Sequence, residues 1–142
     1  MATRSDFTDD EWAALQKGVT GSGMLVSLSD RDLSDSFGEA GALAKYLSGQ
    51  HVAATNPLVR ELAQTHGTGF GLTASPDRVR SETMTALQAG TAALRAKAPD
   101  DVDAYADLVL GVATAVAEAK GGGTSEVEAT MIASIRQALG RG

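Results

Sequence analysis

Hydrophobic residues between positions 101 and 119 recur at steps of three and four, which places them on one stripe of a helix. The stripe consists of Val102, Tyr105, Leu108, Val109, Val112, Val116 and Ala119. Three glycines at 121–123 are expected to end this helix, because glycine adopts left-handed backbone angles without strain. Ser125 and Glu128 have the spacing of a capping box, and a second stripe follows at Met131, Ile132, Ile135 and Leu139. The pattern predicts an antiparallel helical hairpin over 100–140, ending at Gly140, as the centre of the fold.

The same periodicity predicts a helix near the N-terminus. Thr8 and Glu11 can form a capping box, and Phe7 and Trp12 a hydrophobic staple, for a helix that runs to about Ser29. Glycines at 18, 21 and 23 interrupt its apolar stripe. They indicate either a break in the helix or a close crossing by a neighbouring helix.

Three further helix starts follow along the chain. Ser36 and Glu39 form a capping box before an apolar stripe at Ala40, Leu43, Ala44 and Leu47. Asn56 is expected to cap a short helix that has Pro57 at its first position. Ser75-Pro76 starts a longer helix to about Lys97, whose inner face is Val79, Thr83, Met84, Leu87, Gly90 and Leu94.

No strand is predicted, since valine and isoleucine nowhere alternate with polar residues. With 142 residues, 43% of them hydrophobic and 4% aromatic, the chain suits one aliphatic, helix-based core. We therefore predict an all-α fold, a single compact bundle of six or seven helices over residues 7–142, behind a disordered tail over 1–6. Residues 23–47 and 111–135 share a layout, an apolar helix beginning at a glycine and then a polar loop. That layout indicates two related helical hairpins.

The formal net charge is −6, and the basic residues Arg78, Arg80, Arg95 and Lys97 share their predicted helix with acidic ones. Nucleic-acid-binding proteins typically have a basic face, so we expect no nucleic-acid partner and, for the same reason, no membrane partner. The chain has no cysteine, no signal sequence at its N-terminus and no apolar run of about 18 residues. These features favour a cytoplasmic protein.

The acidic loop at 30–39 is the best candidate site in the sequence. Asp30, Asp32, Ser34 and Ser36 recur at every second position, as oxygen ligands do in the first half of a calcium loop. The calcium-loop register then fails, because it requires glycine at Asp35 and a bidentate glutamate at Gly41. We predict a weak divalent-metal site at Asp30, Asp32 and Glu39. The alternative is an ordinary solvated loop between two helices.

An apolar helix, a polar turn, a Ser/Thr-x-x-Glu helix start and the ending Ile-Arg-Gln-Ala-Leu at 135–139 resemble the TerB-like, tellurite-resistance-associated family. The resemblance covers roughly residues 8–48 and 100–140. It implies an all-helical cytoplasmic protein with a role in a stress response. It also implies divalent-metal binding at acidic helical turns, here at Asp30 and Glu39 and at Glu118 and Glu128. The second turn departs from the family pattern, because Lys120 and three glycines stand where an aspartate-glycine turn is usual.

No serine lies in a nucleophile elbow and no carboxylate pair lies in an apolar setting, so enzyme activity has no positive support. The leading hypothesis is a small helical binding or interaction protein that binds a divalent cation weakly. The alternative is a small-molecule-binding protein or enzyme with a pocket near the glycine connector at 66–73, lined by His66, Thr68 and Thr73. Self-association through alanine- and glycine-rich helix faces is a third hypothesis.

Overall fold

The computed structural model describes residues 3–29, 45–50, 56–64, 75–118 and 126–140. Every regular element in these ranges is helical, and no strand is found among them. The α-helices are α1 (Asp9–Ser29), α2 (residues 45–50), α3 (Pro57–Leu62), α4 (Pro76–Lys97), α5 (Val102–Glu118) and α6 (Glu126–Ala138). Single 3-10 turns occur at Arg4–Asp6 and Pro99–Asp101. The predicted all-α bundle is confirmed.

The start of α1 confirms the predicted capping box and staple. Thr8 N donates to Glu11 Oε1 at 2.8 Å, and Glu11 N donates to Thr8 Oγ1 at 3.1 Å. The rings of Phe7 and Trp12 lie 6.2 Å apart between centroids. Local sequence therefore determines where α1 begins, because each partner lies within five residues of the next.

Two more predicted caps are present. Asn56 Oδ1 accepts hydrogen bonds from Leu58 N at 2.9 Å and Val59 N at 3.3 Å, with Pro57 at the first position of α3. Ser75 Oγ accepts from Arg78 N at 3.2 Å at the start of α4. At the other end of the chain, Gly140 closes α6 with a φ of 77°, as its position after the last stripe predicted.

The N-terminal residues form more structure than the predicted tail. Arg4–Asp6 make a 3-10 turn, within which Thr3 N donates to Asp6 Oδ2 at 2.8 Å. Arg4 N donates to Glu61 Oε2 at 2.8 Å, and the Arg4 guanidinium lies 5.9 Å from the centroid of the Trp12 ring. Packing against α1 and α3 therefore begins at Arg4, before Phe7.

Helix α1 shares the centre of the described bundle with α5 of the 100–140 hairpin. It contacts α3, α4, α5 and α6, and its interface with α4 is the most extensive between any two described helices. The hairpin still supplies much of the core. Eight residues of α5 are buried, namely Tyr105, Ala106, Leu108, Val109, Val112, Ala113, Val116 and Ala117.

Glycines explain why α1 and α4 approach so closely. A Cβ at Gly21 would overlap Thr83 Oγ1, a Cβ at Gly18 would overlap the Tyr105 hydroxyl, and a Cβ at Gly90 would lie 3.0 Å from Leu15 Cδ2. The two helices run antiparallel, because Leu15 lies beside Gly90 while Gly21 lies beside Thr83. Helix α1 continues through its glycines without interruption. Of the two interpretations of these glycines, the close crossing by a neighbouring helix is therefore correct and the helix break is wrong.

The predicted relation between residues 23–47 and 111–135 differs from the structure in one respect. Gly23 and Gly111 both lie inside continuous helices, α1 and α5, so neither begins a helix. Gly111 instead makes room for Tyr46, whose hydroxyl lies where a Cβ would stand. The two loops of the predicted hairpins, including the glycines at 121–123, lie outside the described residues.

Candidate functional site

The predicted sites fall mostly outside the part of the chain that the structure describes. Asp30, Asp32 and Glu39 are not among the described residues, and neither is the connector at 66–73. Glu118 is exposed at the end of α5, while the side chain of Glu128 is not described. Across the described ranges, no group of three or more histidine, cysteine, aspartate or glutamate side chains could hold a metal ion.

A hollow of about 340 Å³ lies between α1 and α4, and we call it the α1–α4 groove. Its lining from α1 is Asp10, Ala13, Ala14 and Lys17, and its lining from α4 is Ser81, Glu82, Thr85, Ala86 and Ala89. Each helix presents residues three and four apart, as one face of a helix must. The groove therefore has a floor of four alanine side chains and a polar rim on each side.

The charges of the groove are unevenly distributed. Lys17 Nζ lies 3.0 Å from Glu82 Oε1, and Arg78 Nε donates to Glu82 Oε2 at 2.6 Å. These hydrogen bonds, from Lys17 first and then from Arg78, lower the pKa of Glu82 below its ordinary value. Arg78 lies beside this end of the groove, and exposed Asp10 lies at the opposite end.

A second hollow, of about 440 Å³, lies beside the N-terminal turn and is lined by Arg4, Trp12, Gln16, Glu61 and Gln64. Its lining is polar, apart from the Trp12 ring. Only 3% of Trp12 is exposed, because Arg4 covers one face of the ring. Glu61 accepts a hydrogen bond from Arg4 N. The polar groups of this hollow therefore hold the N-terminal turn in place and do not converge on a ligand.

A third hollow, of about 210 Å³, is lined by Tyr46, Gln50, Asn56, Val59, Ala104, Asp107 and Leu108. Burial raises the pKa of the Tyr46 hydroxyl, and the Asp107 carboxylate raises it further, so Tyr46 stays neutral. The Asn56 amide donates to Asp101 at 2.9 Å. Tyr46 and Asn56 therefore have structural roles, in packing against Gly111 and in capping α3.

Among the three hollows, the α1–α4 groove has the arrangement typical of a docking surface. Among the described residues that line these hollows, none is a histidine or a cysteine, and no hydroxyl lies in hydrogen-bond contact with a base. The apolar floor and charged rim of the groove suit a polypeptide surface better than a reacting group. The sequence pointed to alanine-rich faces in general, but Ala13 and Ala89 are exposed only because no described helix covers this side of α1 and α4.

Comparison of the chain with protein-family profiles, with curated proteins and with solved structures gives no significant match. Within the described residues, none of the helices combines the length and the apolar character that crossing a bilayer requires.

Proposed function

We propose that the protein is a small helical interaction protein that docks one helix of a protein partner on the α1–α4 groove. The observation that carries this proposal is the floor formed by Ala13, Ala14, Ala86 and Ala89, held between two continuous helices. Side chains this small let the backbone of a third helix approach closely, as ridges of one helix pack into the groove of another. A helix docked in such a groove is a recurrent mode of peptide recognition.

The dimensions of the groove support a short helical segment. Its lining on α1 spans Asp10 to Lys17, which is about 10 Å, or two turns, at the rise of an α-helix. The rim of the groove is charged, with Asp10 at one end and the Lys17–Glu82 ion pair at the other. The Tyr105 hydroxyl donates to Leu15 O at 2.8 Å, which connects α1 to α5.

A library of helical peptides displayed on phage tests this proposal, with selection on the immobilised full-length chain. Enriched peptides are expected to bind the wild type and to lose binding to Ala13→Arg and Ala89→Arg, because arginine at either position fills the groove. Ala133→Arg is the matched control, since it makes the same change at an exposed position on α6. The absence of any enriched peptide, or equal binding to all three variants, would overturn the proposal.

A second candidate function, weak binding of a divalent cation at Asp30, Asp32 and Glu39, is favoured by the alternating oxygen ligands of the 30–36 loop. The TerB-like resemblance also implies divalent-metal binding at this acidic turn. We expect millimolar Ca²⁺ or Mg²⁺ to raise the melting temperature of the wild type but not of the Asp30→Asn/Asp32→Asn variant. A cation at a hundred times its dissociation constant adds about 2.7 kcal/mol, which thermal denaturation detects. An unchanged wild-type melting temperature refutes this candidate.

A further inference from the structure

We infer that Trp12 and Glu61 form a binding site for an arginine residue of a partner polypeptide, and that Arg4 occupies this site in the structure. The site lies at the second hollow, beside the N-terminal turn. With the turn in place, the polar groups of the hollow serve the turn, and the turn is itself the occupant. A different set of α1 residues lines the α1–α4 groove, so the inference goes beyond the proposed function and does not depend on it.

Two groups of different chemistry contact Arg4. Its guanidinium lies 5.9 Å from the centroid of the Trp12 ring, where the negative face of an aromatic ring attracts a cation. Its backbone N–H donates to Glu61 Oε2 at 2.8 Å. A free guanidinium ion can supply the first contact but not the second, whereas an arginine residue of a polypeptide supplies both. A planar guanidinium also stacks on a ring face, as an ammonium cannot, so arginine suits the site better than lysine.

The N-terminal turn can leave the site as a unit. All three residues of the turn, Arg4–Asp6, are exposed. Its shape is set by hydrogen bonds within residues 3–7. Asp6 N donates to Thr3 O at 3.0 Å, and Thr3 N donates to Asp6 Oδ2 at 2.8 Å. Because these bonds move with the turn, undocking breaks the contacts of Arg4 with Trp12 and Glu61 but not the turn itself.

Phe7 holds the chain immediately after the turn. Its ring is buried, 6.2 Å from the Trp12 ring between centroids, and the Lys97 ammonium lies 5.9 Å from the Phe7 centroid. With Phe7 in place, the turn can undock without disturbing the start of α1. Undocking exposes the face of the Trp12 ring that Arg4 covers and frees the carboxylate of Glu61. An arginine residue of another polypeptide then meets the same two groups that hold Arg4.

Isothermal titration calorimetry of the full chain tests this inference, with the peptide acetyl-Thr-Arg-Ser-Asp-amide, which copies residues 3–6, as the probe. Arg4→Glu empties the site, because it places a second carboxylate beside Glu61 and the negative face of the Trp12 ring. The peptide should bind this variant about tenfold more tightly than the wild type, as expected if Arg4 fills the site about 90% of the time. A peptide with citrulline in place of arginine should not bind, since citrulline keeps the shape without the charge. Glu61→Gln, added to Arg4→Glu, should weaken binding of the arginine peptide.

Arg80→Glu is the matched control, since it makes the same charge change at an exposed position of α4 outside the hollow. It should bind the peptide no more tightly than the wild type does. Arg4→Ala removes the guanidinium without adding a charge, so it should show a smaller gain in affinity, and circular dichroism should show that the variants are folded. Equal affinity of the wild type and both Arg4 variants, an equal gain in Arg80→Glu, equal binding of the citrulline peptide, or binding unaffected by Glu61→Gln would overturn the inference.

Discussion

At the scale of single residues, Asn56 joins two parts of the chain that are far apart in sequence. Its Oδ1 caps α3 by accepting from two backbone amides, and its Nδ2 donates to Asp101 Oδ1 at 2.9 Å. Asp101 is only 3% exposed, in the 3-10 turn that precedes α5. One amide group thus satisfies the first turn of α3 and provides a donor to a buried carboxylate, a group that is costly to bury without hydrogen bonds.

We expect Asn56→Ala to lower the free energy of unfolding by about 2–3 kcal/mol. Loss of the cap accounts for about 1 kcal/mol, and removal of a donor from a buried carboxylate accounts for the rest. Urea denaturation followed by circular dichroism measures the change. Asn56→Ser is the control, since serine keeps a capping oxygen and loses the amide that donates to Asp101. A loss below about 0.5 kcal/mol in Asn56→Ala would show that the pair is unimportant.

The sequence predicted the cap but not the buried pair. A cap depends on residues two and three positions away, so its spacing is visible in the chain. The contact between Asn56 and Asp101 spans 45 residues and depends on how α3 packs beside α5. In the sequence alone, an aspartate at position 101 suits the positive end of a helix dipole, as many exposed aspartates do.

At the scale of helices, the crossing of α1 and α4 depends on the absence of side chains at three glycines. Gly18 is the most informative of them, because it lies against both Leu87 Cδ2 of α4 and the Tyr105 hydroxyl of α5. A methyl group there would push α1 away from two neighbours at once. Burial also raises the pKa of Tyr105, so its hydroxyl keeps the proton that it donates to Leu15 O.

We expect Gly18→Ala to destabilise the protein by about 1–3 kcal/mol, because overpacking outweighs the better helix propensity of alanine. In the Tyr105→Phe background the same change should cost less, because one of the two overlapping atoms is gone. Thermal and urea denaturation of all four proteins in this cycle measure the coupling.

Gly49→Ala is the matched control for this cycle, because a Cβ at Gly49 has no atom within 4 Å. That variant should be neutral or more stable by up to about 1 kcal/mol. A stable Gly18→Ala variant would mean that α1 and α4 do not approach as closely as described.

Helix boundaries were more predictable than helix partners. The caps at Thr8, Asn56 and Ser75 and the end at Gly140 all follow from short-range spacing, and all four are confirmed. The glycines of α1 left two interpretations open, because glycine permits both a break and a crossing. Which helices meet at the centre, and which alanine side chains are exposed among the described residues, depend on packing between distant segments, which local periodicity does not encode.

At the scale of the whole molecule, ion pairs connect α1 to α4 near both ends of their interface. Lys97 hydrogen-bonds Glu11 at one end, and Lys17 with Arg78 holds Glu82 at the other. The hydrogen bond from Lys97 is the main cause that lowers the pKa of Glu11, and the bond from Thr8 adds to it. The two most extensively packed helices are therefore also connected through carboxylates that must stay ionised.

We expect the free energy of unfolding to fall as the pH is lowered below about 4.5, the ordinary value for both glutamates. A carboxylate whose pKa is lowered by folding stabilises the protein above its unfolded-state pKa. That contribution is lost as the pH falls through the folded-state pKa. Urea denaturation at a series of acidic pH values gives the free energy of unfolding as a function of pH. The slope of that dependence should be shallower for Glu11→Gln/Glu82→Gln than for the wild type.

Lys97→Gln provides an internal control for this pH dependence. It removes the first cause of the lowered Glu11 pKa, so it should flatten the slope much as Glu11→Gln does, and the two changes together should add little more. A wild-type slope in the Glu11→Gln/Glu82→Gln variant would rule out these carboxylates as the source of acid sensitivity.

The position of Trp12 makes its fluorescence a reporter of the N-terminal turn. It is the one tryptophan of the chain, so tryptophan fluorescence reports a single location, where the N-terminal turn covers the first turns of α1. The Arg4 cation over the ring and the burial of the indole both depend on that turn staying in place. Detachment of residues 4–6 would expose the indole to water and shift its emission to the red. Undocking of the N-terminus and global unfolding can therefore be distinguished in an unlabelled sample, by comparing fluorescence with helical circular dichroism.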